Sequence, residues 1–358
     1  MRIYKQDELK SKIKSGSFAP VYFLFGNEPY LITHYTNQII KNNVTALEDI
    51  NLRYYDSEFD ADEIYATAFQ VPMMSAKKCL VITDCDFSKL SEKQLSVFCD
   101  LAENPSDVSI VLFRYTDMEI SFKKQYGSNS SNKNRDKMLS AIEKGGGMIV
   151  EINHMTTGDL VKTITSGARK RHCSIDPQVA RHMIERCSDD LTTLLGETEK
   201  LCSYLNEGTI TKELVDEICT QSVSSVIFDM SKAVLSNNVK AAMKILDDLI
   251  FQKVKETEIL REIAKNYIDI YRVSAARRAG LNTSDVDAHF GYGRRAFVLN
   301  NAVRFANKLS QKQILLSLKE ICNADYMLKG GSSMKKKTIL EMLLIKLMMI
   351  SSKGETVC

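Results

Sequence analysis

Two short stretches hold the residues whose types and spacing could do chemistry. The first is Gly26-Asn27-Glu28-Pro29, which closes the apolar run Val21-Tyr22-Phe23-Leu24-Phe25 and opens a helical pattern. A strand ending in glycine before a helix is where a phosphate-binding loop sits. Such a loop needs further glycines for close backbone approach, a Lys for the phosphates and a Ser or Thr for magnesium. None of these stands at the right place here. Glu28 repels phosphate and Pro29 lacks a donor amide, so the residues predict a degenerate site that holds no nucleotide cofactor. The second stretch is Pro72-Met73-Met74-Ser75-Ala76-Lys77-Lys78. Two adjacent large apolar residues on a tight loop cannot both point inward. In one reading one Met is core and its neighbour covers an edge, Met being a common gap-filler. In the other the pair is an exposed anchor for a partner's pocket. The residues alone weigh slightly toward the packing reading.

Other chemistry is not indicated. Five histidines (His34, His154, His172, His182, His289) are scattered, and no Ser or Cys stands in a nucleophile elbow. The nine cysteines form no CxxC pair and no regular framework, which predicts reduced, mostly buried thiols and no metal site. Gly145-Gly146-Gly147, Gly291-Tyr292-Gly293 and Lys329-Gly330-Gly331-Ser332-Ser333 read as turns or loops. Basic clusters at Arg169-Lys170-Arg171, Arg277-Arg278, Arg294-Arg295 and Lys335-Lys336-Lys337 could meet a DNA backbone. With a net charge of only +3, most of them read as solvated helix ends complementing the dipole. The start of the chain carries acids where a secretory signal needs an apolar run, and Met342 to Ile350 is too short to span a bilayer. A cytoplasmic protein is expected.

The elements that must position these residues fall into three segments. Over 1–152, the runs Val21–Phe25, Cys79–Thr83, Ser109–Phe113 and Met148–Ile152, with Leu52–Tyr55 weaker, are continuous rather than alternating. That pattern suits strands covered on both faces, as in a parallel α/β sheet. Helical patterns over Tyr30–Lys41 and Glu92–Leu101 lie between them, and the polar stretch Lys123–Lys137 is expected to be a surface loop. After Ile152 strand patterns stop. Four helical patterns over 153–220 (Asp159–Arg169, Asp176–Cys187, Leu191–Leu205, Lys212–Cys219) predict a small helical domain. Longer helices over 221–350 predict a bundle, with 351–358 a tail. One stripe there is Ala242, Ile245, Leu246, Leu249 and Ile250. Another is Ile259, Leu260, Ile263, Ala264, Tyr267, Ile268 and Tyr271, and helices over Leu315–Leu328 and Ile339–Ile350 complete it. The 358 residues, 44% hydrophobic and 26% charged, suffice for two or three such cores.

Several stretches together resemble the delta subunit family of bacterial DNA polymerase III, the clamp-loader delta family. These are Val21 through Ile32 with its Gly26 to Pro29 turn, Pro72 through Ile82, and Asp190 through Leu201. Ile227-Phe228-Asp229-Met230 with Lys240 to Leu249, and Ala324 through Gly330 with Glu341 to Leu347, complete the set. Their order and spacing span nearly the whole chain. The resemblance implies an α/β plus all-α chain: an AAA+-type N-terminal α/β domain without a working ATP site, a small helical lid and a C-terminal helical collar. It implies no intrinsic catalysis but membership of a DNA polymerase holoenzyme, with the beta sliding clamp, gamma/tau and delta prime subunits and primed DNA as partners. The family's clamp-binding pair falls on Met73 and Met74, where the family usually shows Phe or Leu. An active AAA+ ATPase or helicase-loader subunit and a nucleic-acid-binding module remain the alternatives.

Overall fold

The computed structural model describes residues 1–56, 59–117, 133–293 and 297–352, which form two compact units, Met1–His154 and 155 onward. In the first unit the strands are β1 (Ile3–Lys5), β2 (Val21–Gly26), β3 (Leu52–Tyr55), β4 (Lys78–Thr83), β5 (Ser109–Arg114) and β6 (Met148–Ile152). They form one parallel sheet in the order β1-β6-β2-β5-β4-β3. Every apolar residue of β2, β4 and β5 is buried, as continuous apolar runs require when both faces are covered. The helices are α1 (Gln6–Ser15), α2 (Pro29–Asn43), α3 (Glu48–Asn51), α4 (Ala61–Ala68), α5 (Glu92–Glu103) and α6 (Lys133–Lys144). Phe23, Phe25, Phe87, Phe98, Phe113 and Tyr115 dominate the core on one side of the sheet. Fully burying one such side chain contributes about 1.5–3 kcal/mol. Helix starts are chemically marked. Proline opens α2, and Ser91 with Gln94 forms a reciprocal capping box at α5.

In the second unit, α7 (Thr157–Arg169), α8 (Pro177–Cys187), α9 (Leu191–Leu205) and α10 (Lys212–Ile218) are joined by a two-stranded parallel ribbon, β7 (Cys173–Ile175) and β8 (Gly208–Ile210). Asp176 caps α8 and Asp190 caps α9, each accepting a hydrogen bond from a first-turn amide. Then come α11 (Val223–Leu235), α12 (Val239–Phe251), α13 (Glu256–Arg278), α14 (Thr283–Phe290), α15 (Phe297–Ala306), α16 (Gln311–Tyr326) and α17 (Lys336–Ser352), which share one apolar core.

The structure departs from the sequence expectations in identifiable places. The stretch expected to be a loop over Lys123–Lys137 is helical from Lys133, where Met138, Leu139, Ala141 and Ile142 pull α6 onto the sheet; 118–132 lies outside the described residues. Strands do not stop at Ile152, because β7 and β8 follow, each only three residues and too short to show a period. Ile268 and Tyr271 are exposed on α13, and Ile270 and Val273 take the core places. Lys329–Gly331 is no open loop but a π-helical turn, Met327–Gly331, continuing α16. It closes through Gly330 at φ 112°, a conformation open to glycine. The helix α17 runs on through Ser352 into the expected tail, and 353–358 is not among the described residues. Of the basic clusters, Arg169 and Arg277-Arg278 do sit in last helical turns. Lys335-Lys336-Lys337 instead lies at the start of α17, the end a cation finds unfavourable, and Lys337 is neutralised by Asp247 at 2.6 Å. Arg294-Arg295 falls outside the described residues. Of the eight described cysteines six are buried, and all eight are free thiols.

Candidate functional site

The turn after β2 is built around Gly26. Its φ of 142° belongs to glycine, and a Cβ there would stand 2.0 Å from the Ile152 carbonyl oxygen at the end of β6. The close approach locks the turn to the segment after β6. The Asn27 side-chain oxygen accepts from the His154 amide at 2.7 Å. The His154 Nδ1 lies 3.0 Å from the Glu28 carboxylate, which is buried although it stands directly before α2. A helix start attracts anions through its free amides and dipole. In this turn the chain supplies its own carboxylate there, and Pro29 removes one amide from the set. The geometry therefore favours a closed internal contact between Glu28 and His154 over a phosphate cradle.

The second stretch lies between α4 and β4 and has a different character. Met73 is 53% exposed, Met74 80% and Val71 77%, so neither methionine is a core residue. The packing reading, with one methionine in the core, thus fails, because both side chains are exposed. Yet the backbone beneath them is held firmly. The buried Asn51, last residue of α3, presents its amide to Met73 as a strand would. Its Nδ2 donates to the Met73 carbonyl at 2.7 Å, and its Oδ1 accepts from the Met73 amide at 2.8 Å. The same Nδ2 donates to the Ala46 carbonyl at 2.8 Å. Two residues on, Ser75 Oγ accepts from the amides of Thr45 and Ala46 at 2.7 and 3.2 Å. The Lys77 amide donates to the Asn43 carbonyl. Met74 itself takes a left-handed backbone, φ 55°, which costs a residue with a Cβ about 1 kcal/mol and persists only because both neighbours are tied down. Below the loop the Lys78 ammonium donates to Gln70 at 2.8 Å, and burial, aided by nearby Arg53, lowers its pKa. Leu47 and Ile50, on the segment that clamps the loop, are also exposed. The result is a preorganised apolar projection, suited to filling a pocket on another protein.

Comparison with known proteins agrees with the fold and the order of motifs. The model of the DNA polymerase III delta subunit matches residues 22–141, and the model of that family's C-terminal domain matches 224–347, together more than half of the chain. The chain belongs to the DNA polymerase III delta-subunit family. It is similar to DNA polymerase III subunit delta of Bacillus subtilis, 22% identical over 96% of this chain and 97% of that protein. Among solved structures it is similar in fold to the Bacillus subtilis DNA clamp loader delta protein, with a TM-score of 0.63 and 19% identity. That likeness covers 96% of this chain and 99% of the other. The first unit of this delta-family chain is α/β around one parallel sheet, and the remainder is helical save for its short ribbon.

The roles of two residues that hold the loop were invisible from sequence. Asn51 sits 22 positions before Met73, and Ser75 was read only as part of the loop. The one available signal was an asparagine where a short helix gives way to a strand, a place where that side chain often bonds backbone.

Proposed function

We propose that this delta-family chain grips the beta sliding clamp through Met73 and Met74 and favours opening of its ring. The observation that carries the reading is the pair itself: two adjacent exposed methionines on a loop whose backbone is fixed by Asn51 and Ser75. The work is mechanical. Tighter binding to a distorted clamp interface than to the closed one shifts the ring toward its open form by that difference in affinity. No ATP chemistry is assigned to this chain, because the turn at Gly26, Asn27, Glu28 and Pro29 holds a buried carboxylate and offers neither Lys nor hydroxyl. The ATP needed for cycling is bound by other subunits of the loader; gamma/tau, delta prime and primed DNA are the partners of this chain in that complex. In this reading 1–152 is the clamp-binding domain, 153–220 the lid and 221–350 the collar that assembles with the other subunits. The setting is the cytoplasm; no described helix is long and apolar enough to cross a membrane.

The test is the Met73→Ala/Met74→Ala double variant. Truncating an anchor pair of this kind costs at least about 2 kcal/mol of binding, roughly a 30-fold loss of affinity for the purified clamp. Thermal stability should barely move, since truncating a core methionine would instead cost about 2–5 kcal/mol. Unchanged clamp affinity would overturn the reading.

A further inference from the structure

Three donors that sequence spacing keeps apart meet in the second unit. Cys187 is the last residue of α8, Glu197 lies within α9, and Cys219 directly follows α10. Their two sulfurs and a carboxylate oxygen lie within 4.8 Å of one another, the only such group of three among the described residues. Both thiols are buried, and the Glu197 side chain is 12% exposed. We propose that Cys187, Glu197 and Cys219 form a binding site for a thiol-preferring divalent cation of the zinc class, which cross-links α8, α9 and the end of α10.

The donor chemistry favours a cation over a plain disulfide. Two sulfurs and a carboxylate oxygen are ligands that zinc accepts in a tetrahedral site, with water completing the fourth position. A disulfide gives the carboxylate no part, and a carboxylate beside two thiols only opposes their ionisation. The surroundings also fit. On binding, each thiol loses its proton to solvent, so a divalent cation with two thiolates and one carboxylate carries a single negative charge. The Lys200 ammonium, 2.7 Å from the Glu197 carboxylate, offsets it. The Thr220 amide donates to Glu197 Oε2 at 3.3 Å, and Lys200 also reaches Oε1 at 2.9 Å, so the carboxylate is already oriented by outer partners. Arg186 precedes the first cysteine and pairs with Asp216 rather than entering the cluster. The cross-link lies just before the chain enters α11, so its effect would be to stiffen that exit.

The full-length chain, stripped of metal by a chelator under reducing conditions, is titrated with cobalt(II). The expected result is uptake of one equivalent, with a thiolate-to-cobalt charge-transfer band and the visible bands of a tetrahedral site. Zinc should displace the cobalt and raise the melting temperature. Cys187→Ser and Cys219→Ser should abolish the band, and Glu197→Gln should weaken uptake by about tenfold or more, the scale on which site partners act. The parent chain supplies a readout that does not depend on the variants folding. Zinc should protect Cys187 and Cys219 from alkylation, mapped by peptide mass spectrometry, while exposed Cys322 reacts equally with and without it. The proposal is overturned by absence of the band at one equivalent, or by a band that survives both serine substitutions. Equal alkylation of the two thiols with and without zinc, or a Cys187–Cys219 disulfide in a chain that takes up no metal when reduced, overturns it as well.

Discussion

Asn51→Ala removes a residue that would touch no partner, yet it should weaken clamp binding. The side chain is 1% exposed and makes three hydrogen bonds, two to the Met73 backbone and one to the Ala46 carbonyl. Each contributes about 1 kcal/mol net. Water can recover part of that at a surface loop, so the fold should lose about 1–3 kcal/mol and remain folded at 25 °C. The larger consequence is lost order. Fixing one residue's backbone costs about 1–2 kcal/mol, and a loop freed at Met73 must regain at least one residue's worth of order on docking. Clamp affinity should therefore fall by about 5–30-fold. Asn51→Asp should be no better, because a second carboxylate oxygen then faces the Met73 and Ala46 carbonyls where an amide donated. Biolayer interferometry against immobilised clamp, with circular dichroism melts alongside, gives both numbers. Combining Asn51→Ala with Met73→Ala should yield a less than additive loss, since the first acts through the second. A folded Asn51→Ala chain that binds the clamp within twofold of the parent would refute the positioning argument while leaving Met73 and Met74 untouched.

Three further outcomes are expected. Gly26→Ala places a Cβ 2.0 Å from the Ile152 carbonyl at a φ of 142°, so it should destabilise the first unit by about 3 kcal/mol or more, read by urea unfolding; a shift under 1 kcal/mol would contradict the packing described. Calorimetric titration of the isolated chain with ATP and magnesium should show no stoichiometric binding, and a low-micromolar isotherm would restore the ATPase alternative. Leu315 and Leu316 on α16 are 46% and 42% exposed; Leu315→Asp with Leu316→Asp should abolish co-purification with the other loader subunits while each exposed change moves stability by no more than about 0.5 kcal/mol, and intact assembly would remove this face from the collar interface.

Much of the fold was legible because its signals are local. The central strands β2, β4 and β5 are continuous apolar runs, which only two-sided burial explains; β6 carries the same run up to the exposed Glu151, and β3 was visible more faintly. Proline at the start of α2 and α8, and aspartate before α8 and α9, marked helix starts by chemistry that acts within one turn. The turn from β2 into α2 at Gly26 to Pro29 was also readable, since a glycine closing an apolar run and a proline opening a helix are matters of residue type alone. Where the signal was too short or too dilute, reading failed. The strands β1, β7 and β8 have three residues each, and α6 begins in a polar stretch that only its later apolar residues hold to the sheet.

What tertiary structure alone decided is which distant residues meet and which are left uncovered. The exposure of Met73 and Met74 is no property of those two residues. It follows because α4 and β4 leave the loop at the rim, and because Asn51 and Ser75 hold its backbone instead of letting it fold back onto the core. The outward turn of Ile268 and Tyr271 depends likewise on which face of α13 its neighbours occupy. Cys187, Glu197 and Cys219 show the same limit for polar groups: three helices carry them to one point, and no spacing along the chain announces it. A hydrophobic period records whether a residue wants burial. The partner it meets depends on contacts across the fold, which no local pattern encodes.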